Sequence, residues 1–235
     1  SSKTLSQALL FNNNHAALNG GAIASNGSLT IASLYFTSKT TDKEGVLTPN
    51  AGREIIFSNN SALNGGAVSV DGGTLKISGM GSTHTDSDWS GGVQFLSNYA
   101  SDNGGALYGN GGAASDYLIV GATFAYNGAN GNGGALYVDG GSNLRLEATL
   151  FGGNMALGDG GAASINNVSN IRIIAGGGPN QFELDEEEKL IEEVKDKYFD
   201  YTITGSTSFI ENETISGNGG AVSIRNFDEM KVASN

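Results

Sequence analysis

The chain has 235 residues, a net charge of −12 and no cysteine. So acidic a chain lacks the basic face that nucleic-acid phosphates require, and it argues against simple electrostatic docking to anionic lipid or heparan sulfate. It has no disulfide framework and no thiol chemistry, and no apolar run is long enough to span a membrane as a helix.

Two short strings alternate along the chain. The first pair is Phe11-x-x-Asn14 followed by Gly20-Gly21-Ala22-Ile23, and the second is Phe57-x-x-Asn60 followed by Gly65-Gly66-Ala67-Val68. Phe95-x-x-Asn98 precedes Gly104-Gly105-Ala106-Leu107, and Phe124-x-x-Asn127 precedes Gly133-Gly134-Ala135-Leu136. Phe151-x-x-Asn154 leads to Gly160-Gly161-Ala162-Ala163, where a small residue stands in the aliphatic place. Phe209-x-x-Asn212 with Gly219-Gly220-Ala221-Val222 is the sixth. From Phe to first Gly the offsets are 9, 8, 9, 9, 9 and 10, whereas Phe-to-Phe distances are 46, 38, 29, 27 and 58. Constant phase with insertions at one point is the mark of a solenoid.

The shortest unit, 124–150, defines the repeat. Phe124 ends a strand, and Asn127-Gly128 and Asn130-Gly131 suit a corner that needs positive φ. Gly133-Gly134 let backbone pass close to backbone, and Ala135–Val138 alternates as a strand does. Asp139–Asn143 reads as a second turn, after which Leu144, Leu146, Ala148 and Leu150 share one strand face. The same order recurs over 67–77 and 162–174. Co-directional strands with no crossover helices predict an all-β chain, a right-handed parallel β-helix occupying 1–235 as one unit. Stacked coils place the phenylalanines in an interior stack and the asparagines in an amide ladder at a corner, with alanine where the coil is narrowest.

Three insertions interrupt the array. Residues 37–54 are polar, with Lys39, Lys43 and Arg53; residues 80–92 carry Trp89 beside His84, Asp86 and Asp88. Trp89 is either a contact anchor or a pin holding its loop. The third, 176–201, contains an acidic segment: 183–200 holds nine acidic residues and three lysines, a charge of −6. Leu190, Ile191, Val194 and Tyr198 recur at helical spacing and predict an amphipathic helix over about 184–199, laid across the wall or kept for a partner.

Enzymes on β-helices gather carboxylates on one wall. Here Asp116 and Glu147 are scattered wall candidates, and Asp71, Asp139 and Asp159 precede glycine pairs as turn residues do. His84, Asp86 and Asp88 form a weak basis for a triad or metal cluster, and the nine-residue period of calcium-binding rolls is missing. The expectation is no catalytic residue, no metal and no cofactor. A β-helix lyase or glycosidase, and an inert stalk, are the alternatives.

The tandem Phe-x-x-Asn and Gly-Gly-Ala-[Ile/Leu/Val] strings, over 11 to about 225, resemble those of the polymorphic membrane proteins of chlamydiae. That resemblance implies an autotransporter: a signal peptide, a repeat-rich passenger at the bacterial surface and an outer-membrane β-barrel. This chain would be a passenger segment of it. It also implies adhesion to a host-cell receptor, protein or glycan, together with self-association.

Overall fold

The computed structural model describes residues 8–33, 54–79, 92–175 and 206–233, and the backbone of 83–85 and 88–90. They form six coils, 9–32, 55–78, 93–120, 122–147, 150–174 and 208–233, stacked as a parallel β-solenoid.

Each coil opens on the phenylalanine wall. Strands Leu9–Asn12, Ile55–Ser58, Val93–Leu96, Ala122–Ala125, Leu150–Gly152 and Ser208–Ile210 pair in that order, all parallel. The register sets Phe11, Phe57, Phe95, Phe124, Phe151 and Phe209 in one row. Their rings stack at centroid distances of 4.7, 4.9, 4.6, 4.8 and 4.9 Å. Those spacings are the inter-strand distance itself, so one ring per coil fills that part of the interior.

A narrow wall follows the asparagine. Its strands are two residues long (Ser61–Ala62, Tyr99–Ala100, Gly128–Ala129, Met155–Ala156, Glu213–Thr214), and His15 bridges to Ser61 in the first coil. The Gly-Gly-Ala wall comes next, with Ile23–Ser25, Val68–Asp71, Leu107–Asn110 and Val222–Arg225. A return wall of Leu29–Ala32, Leu75–Ser78, Asp116–Val120 and Glu229–Ala233 closes the coil. In the fourth and fifth coils these last two walls are single strands, Leu136–Glu147 and Ala163–Ile174. The turns expected at Asp139–Asn143 and Asn166–Asn170 are therefore bends within continuous strands. Gly140 (φ 79°) and Gly141 (φ 154°) make the first bend, and Asn167 (φ 55°) the second.

Two further readings need correction. The left-handed corner residue is the one before the ladder asparagine, namely Asn13, Asn59, Ser97, Tyr126, Gly153 and Glu211, and neither Asn127-Gly128 nor Asn130-Gly131. The alternation through Leu144–Leu150 also breaks at Ala148, whose φ of 46° turns the chain into the next coil. Phe151 rather than Leu150 then joins the core cluster.

The insertion 80–92 contains an antiparallel pair, Thr83–Thr85 with Asp88–Ser90, which sets His84 opposite Trp89 in register. The insertion segment 37–53 and the helix expected over 184–199 lie outside the described residues.

Candidate functional site

The asparagine ladder runs in one direction. Asn14 Nδ2 donates to Asn60 Oδ1 (2.8 Å), Asn60 to Asn98 (2.9 Å), Asn98 to Asn127 (3.0 Å), Asn127 to Asn154 (2.9 Å) and Asn154 to Asn212 (2.9 Å). The same nitrogen also donates backwards to the phenylalanine carbonyl of the preceding coil, as Asn98 does to Phe57 (3.0 Å) and Asn127 to Phe95 (3.0 Å). Each Oδ1 accepts in addition a backbone N–H from the coil before it. Both amide hydrogens and the oxygen are thus satisfied inside the wall, which is why Asn60, Asn98, Asn127 and Asn154 can be fully buried.

A second ladder escaped the sequence reading. The residue before each glycine pair is Asn19, Asn64, Asn103, Asn132, Asp159 or Asn218, and these bond from coil to coil in the opposite direction. Asn64 Nδ2 donates to Asn19 (3.3 Å), Asn132 to Asn103 (3.1 Å) and Asn218 to Asp159 (3.0 Å). The signal was present: five of the six Gly-Gly-Ala strings follow an asparagine. Asp159 fits because its place is that of an acceptor. The backbone N–H of Asn218 is the main reason its carboxyl lies below the usual aspartate range; burial opposes this, and the Asn218 side chain and Arg225 at 2.5 Å add to the lowering.

The glycines have two separate reasons. The first of each pair is left-handed, for instance Gly104 at φ 67°. The second is a close approach: a Cβ on Gly105 would lie 2.0 Å from the Gly134 carbonyl oxygen, and one on Gly134 2.0 Å from that of Gly161. The strings Phe-x-x-Asn and Gly-Gly-Ala thus build the scaffold, and any recognition chemistry must sit on outward positions.

The enzyme candidates separate. Asp116 pairs in register with Asn143, four residues from Glu147 along the neighbouring strand. That is about 13 Å of strand, wider than the roughly 5–9.5 Å that glycosidase carboxylates need. Glu147 is buried and paired with Arg145 at 2.5 Å, and Asp116 accepts a bond from Asn143. Asp71 accepts from Asn110 Nδ2, and Asp139 from Asn167 Nδ2. Among the described residues no three His, Cys, Asp or Glu side chains gather as metal ligands. The side chains of His84, Asp86, Asp88 and Trp89 lie outside the described ones.

The outward faces differ in character. On the return wall, Lys76, Leu118, Arg145, Arg172 and Lys231 fall in one column. Four of the five described cations therefore share a wall, and the fifth, Arg225, pairs with Asp159. On the Gly-Gly-Ala wall Tyr108 and Tyr137 stack at 5.4 Å. Burial first, then the negative charge of Asp139, pushes both phenols up; Asp71 and Asp102 add to this at Tyr108, while a hydrogen bond with Asn166 opposes it at Tyr137. The narrow wall exposes apolar side chains, with Tyr99 at 44%, Tyr126 at 58% and Met155 at 42%.

The model of the Chlamydia polymorphic membrane protein repeat matches residues 8–26, 54–71 and 92–110, which are the opening halves of the first three coils. Neither the curated proteins nor the solved structures yield a match. Each matched stretch runs from a ladder phenylalanine through its Gly-Gly-Ala, and the same phased strings and bonds continue through the last three coils. The first three coils thus each carry a stretch that matches the Chlamydia polymorphic membrane protein repeat.

Proposed function

We propose that this solenoid is an adhesive module of a bacterial surface protein. It binds a host-cell receptor through its outward faces and carries out no turnover. The observation that carries the reading is the division of labour between positions. Inward and ladder positions repeat with little change, while outward ones vary freely from coil to coil, as on the concave and flat surfaces solenoids use for binding. The matched family, whose printed name is that of membrane proteins, supports display at a membrane surface. In this reading the full protein is an autotransporter anchored by an outer-membrane barrel.

Self-association belongs to the same proposal. Every coil-to-coil step uses the same strand pairing and the same two amide ladders, so a coil from a second copy is a chemically suitable neighbour. Stacking copies would raise avidity without new receptor contacts.

Beads coated with the chain, incubated with cultured epithelial cells, test the reading. Attachment above that of albumin-coated beads, together with concentration-dependent sedimentation, is the expected result. Absence of attachment overturns adhesion, and a monomer at all concentrations overturns self-association. Cleavage of a polysaccharide, lost on changing Glu147, would establish the enzyme reading instead.

A further inference from the structure

The narrow wall carries features that the scaffold does not ask for. Tyr126 sits at φ 57°, at the corner position that other coils fill with Asn13, Asn59, Ser97, Gly153 or Glu211. A bulky residue in that region is strained, and this one is also 58% exposed. Its ring lies against the next coil at Gly153, where an added Cβ would be 2.8 Å from it. Tyr99 likewise leans over Gly128, at 3.7 Å from an added Cβ, on the way to Met155 in the coil beyond. Glycines in these two notches let the rings extend across a neighbouring coil, and Leu157, 37% exposed, lies two residues from Met155. Tyrosine and methionine are the side chains enriched at the centres of protein interfaces, and a strip of aliphatic and aromatic groups favours a protein over a sugar.

Charge names the partner's rim. Glu213 pairs in register with Met155, Glu211 occupies the corner beside it, and Asp102 lies beyond Tyr99. Among the described residues no lysine or arginine stands on this wall, because four of the cations form the return-wall column and Arg225 is held by Asp159. An apolar centre with an acidic border is complementary to an apolar centre with a basic border.

We propose that Tyr99, Tyr126 and Met155, bordered by Asp102, Glu211 and Glu213, form a docking surface for a protein partner with an apolar patch rimmed by lysine or arginine. For its biological partner, this rests on reading the chain as an adhesive module.

The test uses the whole chain and the triple variant Y99S/Y126N/M155S, whose new residues are those already standing at the equivalent Ser61 and Asn59. A single melt at or above the wild-type temperature establishes that the variant folds, because asparagine relieves the strain at position 126. The probe is a peptide of alternating leucine and lysine, with its leucine–glutamate and serine–lysine counterparts as controls. The leucine–lysine peptide should bind at least tenfold more weakly to the variant, and more weakly at high salt, while both controls bind poorly. Coated beads of the variant should lose at least fivefold in cell attachment. Wild-type attachment with no loss in the variant overturns the docking surface and leaves the adhesive reading standing. Peptide binding that depends on the three residues, with no attachment by either protein, supports the surface and overturns the adhesive reading. Equal binding of both lysine peptides, or competition at these residues by a neutral oligosaccharide, also overturns the proposal.

Discussion

Asn98 Nδ2 donates at 3.0 Å to Oδ1 of Asn127, a residue 29 positions away in sequence and one coil along the stack. The pair is one step of a chain of amides in which each member has a partner on both sides. Asn98→Ala would leave the Asn60 N–H and Nδ2 without their acceptor and the Phe57 carbonyl without its donor. At about 1–3 kcal/mol for each of the three buried orphans, the expected loss is roughly 3–9 kcal/mol. Asn98→Asp should be worse near neutrality, because a carboxylate then faces the Phe57 and Asn127 oxygens. Burial and those oxygens raise its folded pKa, so the variant's stability is greatest below about pH 4 and is lost as pH rises. Urea unfolding of both variants at acid and neutral pH checks this; equal midpoints for wild type and Asn98→Ala would refute it.

Glycine-to-alanine substitutions should fall into a graded series. Gly105→Ala places a Cβ 2.0 Å from the Gly134 carbonyl oxygen, a contact that backbone cannot relieve locally, and should prevent the coil from closing. Gly72 has φ 77° but open space around its added Cβ, so Gly72→Ala should cost only the left-handed penalty of about 1–2 kcal/mol. At Gly220 the nearest atom is 3.7 Å away and φ is ordinary, so Gly220→Ala should be close to neutral. Thermal melting of the three variants reads the order directly.

Much of this architecture was legible in the strings themselves. Phe-x-x-Asn at constant phase to Gly-Gly-Ala demands identical geometry in each unit, and stacked rings with laddered amides are what that geometry produces. The opposing ladder through Asn103 and Asn132 has a sequence signal of the same kind, an asparagine before five of the six glycine pairs. Two features could not be read from sequence. Left-handed φ at Tyr126 and Ala148 follows from how a coil must turn, and their residue types do not announce it. The cation column from Lys76 to Lys231 joins residues 155 positions apart, and only the register of the return wall brings them into line.

Position along the stack should govern the cost of losing a stacked ring. Phe124 is completely buried between Phe95 and Phe151, so Phe124→Ala should cost about 3–5 kcal/mol. Phe11 is half-buried in the first described coil, with a stacked partner at Phe57, so Phe11→Ala should cost about half as much. Because solenoid units couple mainly to their neighbours, the Phe124 variant should also broaden the transition or split it in two. Equal shifts for both substitutions would mean that the stack does not bear on stability as described.

Tyr117 should link stability to alkaline pH. It points into the core, fills the space left by Gly109 and Gly141, and its hydroxyl is buried without a hydrogen-bond partner. Burial is the main reason its phenol is pushed well above the ordinary value, with Asp139 and Tyr108 adding to the shift. A folded pKa above the unfolded one means that this contribution is fully present below about pH 10 and is lost as pH rises toward the folded value. Tyr117→Phe removes both the orphan hydroxyl and the linkage. The variant should be more stable than wild type by about 1–2 kcal/mol at neutral pH, and its advantage should widen above about pH 10. Tyr108 and Tyr137, also raised, should leave a smaller alkaline slope in the variant. Urea midpoints at neutral pH and at about pH 11, with tyrosinate absorbance followed in parallel, measure both effects. A neutral-pH loss in Tyr117→Phe would show that the hydroxyl has a partner after all, and parallel alkaline slopes would remove Tyr117 from the linkage.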